Sequence, residues 1–176
     1  DLAKDIGPGL AKSAVAITID GVQRDLHDLI DADASVSIIT IESDQGIEIM
    51  RHTLTAQVLA RAIKNLYPKS KLAIGPTIQD GFYYDIETDE SISSDDLSKI
   101  EEEMKKIIKT KSAITKKLVS KKEALKIFKS NKEPYKETII NESDQKENFQ
   151  LYYQDDEQFV DLCRGPHLPN LGFIGS

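Results

Sequence analysis

Cysteine occurs once in the 176 residues, so no internal disulfide can hold the fold, and a reducing compartment is the expected setting. No apolar run approaches the ~20 residues that a membrane-spanning helix needs, and no membrane partner is expected. Positive charge is scarce overall. The net charge is −7 and the pI about 5.0, so the chain as a whole is no polycation. No internal repeat or low-complexity tract appears beyond a local lysine bias. An initiating Met is also missing: the chain begins at Asp1 and reads as a fragment, from which an N-terminal signal could have been cut. What is present suits one or two compact domains and excludes a large multidomain enzyme. A chain of this size can bury about two-thirds of its unfolded surface, enough for a core.

Charge is unevenly spread. Residues 99–136 carry 13 lysines against 5 glutamates, while the remainder is strongly acidic. Such a segment can track a phosphate backbone, with salt-sensitive binding, or can simply be a solvated helical face. It holds no Arg, one Phe and one Tyr, so stacking readout of bases is not suggested.

Periodicity predicts an α+β chain. Leu2, Ile6 and Leu10 recur at helical spacing. Val15, Ile17 and Ile19 alternate as a strand, and Asp20-Gly21 signals a hairpin to a return strand over 22–26. Val36, Ile38 and Ile41 suggest a further strand, and residues 43–46 a linker. A helix is expected over 51–67, with Leu59, Ala62, Ile63 and Leu66 on one face and Thr53, Gln57, Ala60 and Lys64 on the other. Pro68 stops it. Residues 72–78 and 82–86 read as strands around a turn at 79–81. Ser94 is the expected N-cap of a helix striped by Leu97, Ile100, Met104 and Ile107. A short strand is expected over 117–119, a capping box at Ser120 and Glu123, and strands over 150–153 and 158–162.

The sharpest local cluster is Asp161-Leu-Cys163-Arg-Gly-Pro-His167. A turn after a strand can aim the thiol and the imidazole at one point. Read from the residues alone, a buried structural cysteine beside a surface histidine is the simpler explanation. As metal ligands, Cys163 and His167 are the only plausible pair and need one or two further groups, so no metal is firmly predicted.

The run from Ile74 to Asp85 (IGPTIQDGFYYD), followed by the run from Phe159 to Asn170 (FVDLCRGPHLPN), closely resembles the N-terminal region of bacterial-type threonyl-tRNA synthetases. The resemblance covers essentially the whole chain. It implies a partial TGS unit, a ubiquitin-like β-grasp, over 1–44, and an editing domain with antiparallel sheet and helices over 45–176. A related editing fold occurs in alanyl-tRNA synthetases. ATP, Mg2+ and Zn2+ would serve a catalytic core outside the chain, and none is expected to be required within it. The implied partner is the acceptor end of tRNA(Thr) carrying serine. The parent enzyme would be a cytoplasmic homodimer and the fragment a monomer.

Residue by residue, the resemblance puts His167, Lys136, Cys163 and Asp161 in catalytic positions and Tyr84, Thr53, Gln57 and His52 in substrate-binding ones. It implies that His167 orients or deprotonates water, that Lys136 stabilises negative charge, that Cys163 and Asp161 shape the pocket, and that Tyr84 bounds it. The family carries two histidines four residues apart at the start of the first editing-domain helix. Here an ungapped match gives Thr53 and Gln57. One inserted residue admits His52, but Gln57 still takes the second place. On a regular helix residues four apart share a face and residues five apart diverge by about 140°. A missing methyl discriminates serine from threonine by only about 1–3 kcal/mol, so a threonine enzyme needs a second, hydrolytic sieve. Because an amide cannot take a proton near neutral pH, Gln57 leaves an editing-inactive tRNA-binding module as the alternative, with a free-standing editing protein a third reading.

Overall fold

The computed structural model describes residues 2–75, 77–78, 80–89, 91–154 and 158–175. The chain opens with two short helices, α1 (Leu2–Ile6) and α2 (Pro8–Ser13), split at Gly7 with Pro8 in the first turn of the second. Three antiparallel strands follow, β1 (Ala14–Ile19), β2 (Val22–Asp25) and β3 (Val36–Thr40), in the order β2-β1-β3. The hairpin read from Asp20-Gly21 is present, with φ of 47° and 82° at its two central residues, as a two-residue hairpin turn requires. The central strand departs from simple alternation: Ala14 to Ile17 are all buried, and its register against β3 shifts between Ala14 and Ala16.

No linker follows. Ser43 caps α3 (Asp44–Thr53), accepting the Gly46 N–H at 3.1 Å, so the helix begins seven residues before its expected start. It continues through a π-helical turn (Leu54–Leu59) into α4 (Ala60–Leu66) and ends before Pro68. The Ala60 N–H bonds the Thr55 carbonyl, five residues back. Residues of both expected faces are buried, and the clusters they join cut across those faces. Val58 and Ala62 join Val15, Ala16 and Ile39 in one cluster, and Ala60 and Ile63 join Leu72, Ile100 and Phe159 in another. The helix is thus sandwiched, and Leu66, expected inside, is 37% exposed.

The strands expected over 72–78 and 82–86 are a two-tier hairpin instead. β4 (Lys71–Leu72) pairs with β7 (Ile86–Glu87), and β5 (Thr77–Ile78) with β6 (Gly81–Phe82). The turn expected at 79–81 includes Gln79, which lies outside the described residues. Helix α5 (Ser94–Lys109) is capped by Ser93, not Ser94. Asp96 bonds the Ser93 N–H in return and closes a capping box. Strand β8 (Ile114–Val119) extends the one expected at 117–119 and begins the second sheet, order β10-β9-β8, completed by β9 (Phe149–Gln154) and β10 (Phe159–Leu162). Between β8 and β9 lie α6 (Lys121–Ser130), capped by Ser120, and α7 (Pro134–Glu142). The pattern missed α7, which has no clean apolar stripe and only Pro134 as a start signal. The chain is α+β with antiparallel sheets. Among the described residues no helix is long and apolar enough to cross a membrane.

Candidate functional site

A cleft of about 500 Å³ lies between the long helix, the 71–87 hairpin, α7 and β10. Its wall includes His52, Ala56, Gly75, Tyr84, Lys136 and Cys163. Asp161 also borders it: β10 alternates buried and half-buried side chains, and Asp161 is on the buried side. The Lys136 Nζ, delivered by the first turn of α7, meets Asp161 Oδ1 at 2.8 Å, with both side chains about 95% buried. Asp161 Oδ1 also accepts the Leu162 N–H at 2.8 Å.

Past the end of β10 the chain turns. Gly165 has φ +64° and the Gly165–Pro166 peptide is cis. A Cβ on Gly165 would lie 2.0 Å from the Tyr152 hydroxyl, so both backbone and space require glycine there. The turn places Cys163 Sγ 2.8 Å from His52 Nε2. The His167 ring stacks on His52 at 4.6 Å between centroids and meets Tyr152 edge-on at 4.5 Å. Thr53 Oγ1 accepts the Leu168 N–H at 3.1 Å and lies at the same distance from His167 Nδ1. Thr53 is fully buried and holds the turn from behind.

His52, expected among the substrate-binding residues, is the imidazole that borders the cleft. His167 sits behind it, 2% exposed, with Nε2 unpartnered among the described residues. Gln57 does not reach the cleft. It is fully buried, and its backbone oxygen and Oε1 accept from Gln154 Nε2 at 2.8 and 2.9 Å. The residue four after His52 that does border the cleft is Ala56. The π-turn over Leu54–Leu59 takes in one residue more than an α-turn, so the faces of α3 and α4 do not follow one regular 100° step. Sequence reasoning also missed Tyr152 and Asp25, the latter accepting the His167 N–H at 2.9 Å. Neither carries a local signal.

Burial sets the charge states. The Cys163 thiol is pushed up to about 12, chiefly by desolvation, so it is a neutral S–H at pH 7. Burial lowers the His52 pKa against the opposing pull of Glu48 and Asp25. It lowers that of His167 much further, with His52 adding to the effect. Both imidazoles are therefore neutral near pH 7. Unfolding releases them to protonate near pH 6.5, so stability is full above that value and is lost as pH falls from 6.5 toward the folded pKa values. The slope is at most about 1.4 kcal/mol per pH unit for each imidazole. Thermal melts with a chelator present, from pH 7.5 down to 5, should show a falling Tm, and His167→Gln should flatten the fall.

Tyr84 is largely buried against Gly75. A Cβ on Gly75 would lie 2.3 Å from the Tyr84 ring and 2.6 Å from Thr55 Cγ2. Gly75→Ala should therefore displace the ring and cost about 1–3 kcal/mol in a denaturant titration.

His52, Cys163 and His167 each bring one ligand atom within 4.8 Å of the others. This adds a third donor to the expected pair. The N, S, N set suits zinc, but a closed tetrahedral site takes a fourth ligand, and the neighbouring helix position holds Ala56.

The lysine-rich segment is less free than its sequence implies. Lys99, Lys105 and Lys106 pair with acidic residues of their own helix, Lys116 pairs with Asp25 and Asp28, Lys117 lies 4.6 Å over the Tyr153 ring, and Lys136 is buried.

The family model of the threonyl and alanyl tRNA synthetase second additional domain matches residues 150–176. This segment contains β9 from its second residue on, β10 and the Cys163–His167 turn. The match makes this segment similar to that domain of the threonyl and alanyl tRNA synthetases.

Proposed function

We propose that this chain is the N-terminal portion of a threonine–tRNA ligase and that its cleft hydrolyses serine from mischarged seryl-tRNA(Thr). The observation that carries this reading is the convergence on one cleft of His52, Cys163 and the buried Lys136–Asp161 pair, with the thiol and Asp161 supplied by the segment that resembles the editing module. ATP-dependent threonylation would belong to a catalytic core beyond the chain.

Hydrolysis of the ester at the terminal ribose needs an oriented water, a proton acceptor and a stabilised oxyanion. His52 takes the first two tasks. It is neutral near pH 7 and borders the cleft, with Nε2 2.8 Å from Cys163 Sγ; a substrate water takes the thiol's place on that nitrogen and gives it a proton. His167, stacked behind, holds the His52 ring in place rather than touching the water. The Lys136 ammonium faces the developing oxyanion. Among the described residues both bonds to Asp161 fall on Oδ1, which leaves Oδ2 for the substrate's amino group. Cys163, a neutral thiol, and Tyr84 bound the space beside the amino-acid side chain. A volume of about 500 Å³ suits an aminoacylated terminal nucleoside.

Incubation of the purified chain with seryl-tRNA(Thr) tests the reading. Deacylation well above the buffer rate is expected, with threonyl-tRNA(Thr) spared. A specific observation favours a second reading, a tRNA-binding module without chemistry: one imidazole borders the cleft, and Ala56 stands one helical turn on. Tight binding of the acceptor end with deacylation no faster than in buffer would decide for it.

A further inference from the structure

Asp25 closes β2 in the N-terminal three-stranded unit, yet its carboxylate reaches the back of the cleft. Oδ1 accepts the His167 N–H at 2.9 Å. Oδ2 accepts the Tyr152 hydroxyl at 2.7 Å and pairs with Lys116 Nζ at 2.8 Å. The side chain is 15% exposed. These partners are parts of the turn itself. Tyr152 packs edge-on against the His167 ring, and its hydroxyl fills the space where a side chain on Gly165 would stand. Cys163 Sγ accepts the Gly165 N–H at 3.3 Å. The antiparallel ladder of β10 ends at Leu162, so no strand partner supplies the His167 N–H with an acceptor, and a half-buried donor left without one is costly.

We infer that Asp25 is a positioning residue: the N-terminal unit supplies the anchor that sets the Cys163–His167 turn, and through it the approach of the thiol to His52. Its bearing on hydrolysis rests on the function proposed above, but the anchor itself does not. A purely electrostatic role, neutralising Lys116, is separable, because Lys116 also pairs with Asp28 at 2.5 Å.

Cys163 is the chain's single cysteine, so its rate of alkylation by iodoacetamide at fixed pH reads the state of the turn. Asp25→Ala should raise that rate about tenfold or more, as the thiol leaves its desolvated seat. Asp25→Asn keeps an acceptor for the His167 N–H, and its amide can donate to the Tyr152 oxygen while that hydroxyl donates to Gln150 Oε1 at 3.1 Å, so both anchor bonds persist; Asp28→Ala touches none of the turn's bonds. Both should stay within about twofold of the parent. An Asp25→Ala protein with native circular dichroism and the parent's alkylation rate would overturn the inference, as would equal acceleration in Asp28→Ala. If Asp25→Ala does not fold, Tyr152→Phe takes its place. It removes one of the anchor's bonds while keeping the ring on His167, and an unchanged alkylation rate there defeats the idea equally. In seryl-tRNA(Thr) assays Asp25→Ala should lower kcat with little change in KM. A parent chain inert toward that substrate sinks the hydrolytic reading alone, the alkylation rates still deciding the anchor.

Discussion

Asp161→Ala should cost the chain about 3–5 kcal/mol of folding free energy, read as a shift of the urea midpoint at constant slope. The substitution leaves the Lys136 ammonium in a site where its side chain is 6% exposed, with its counter-charge 2.8 Å away removed. It also strips an acceptor from the Leu162 N–H at the end of β10. A surface pair would be worth less than about 1 kcal/mol, so the size of the loss distinguishes the buried pair from the peripheral lysine pairs on α5. The double replacement Lys136→Met with Asp161→Leu should be far milder, because two matched apolar groups need no solvation. That double variant should nonetheless be inactive in deacylation, having lost both the cation and the carboxylate. A single variant as stable as the parent would mean that the ammonium reaches water, and the cleft would lose its oxyanion partner.

The same burial explains what the sequence made legible. Elements whose signals are local came through: the Asp20-Gly21 hairpin, the helix ended by Pro68, the strands on either side of residues 155–157, and the Ser120 cap. Boundaries set by competition between neighbouring caps shifted, as at Ser93 against Ser94 and at Ser43, where a polar run that suggested a linker is a helix start. Tertiary placement was the harder problem. Nothing in the spacing of Thr53 and Gln57 tells which of two buried helix faces meets the cleft, and a regular 100° step misleads across a π-turn. In the fold His52 borders the cleft, while Gln57 bonds Gln154 instead. Asp25 and Tyr152 were invisible for another reason. One lies 142 residues from the N–H it accepts, the other on a strand where an alternating aromatic reads as core. The Cys163–His167 turn was legible because all its parts are consecutive.

His52→Ala should lower kcat for seryl-tRNA(Thr) hydrolysis by about 10²–10⁴-fold, the range for loss of a positioned proton acceptor. His52→Gln should fare no better, since an amide orients water but takes no proton. Both variants should keep most of the parent's affinity for the acceptor end, because the change removes chemistry from one wall of the cleft and leaves Lys136, Tyr84 and Asp161 in place. His167 provides the contrast. Its ring lies behind His52 and its Nδ1 lies against Thr53, so His167→Gln should act through position and stability. The expected pattern is a drop in Tm with a kcat loss at least about tenfold smaller than that of His52→Gln, since a displaced base is impaired where a deleted one is gone. The reverse ranking at equal Tm would transfer the proton-accepting role to the buried Nε2 of His167. The water would then have to lie beneath the stacked rings, on the side of Cys163 away from the mouth of the cleft.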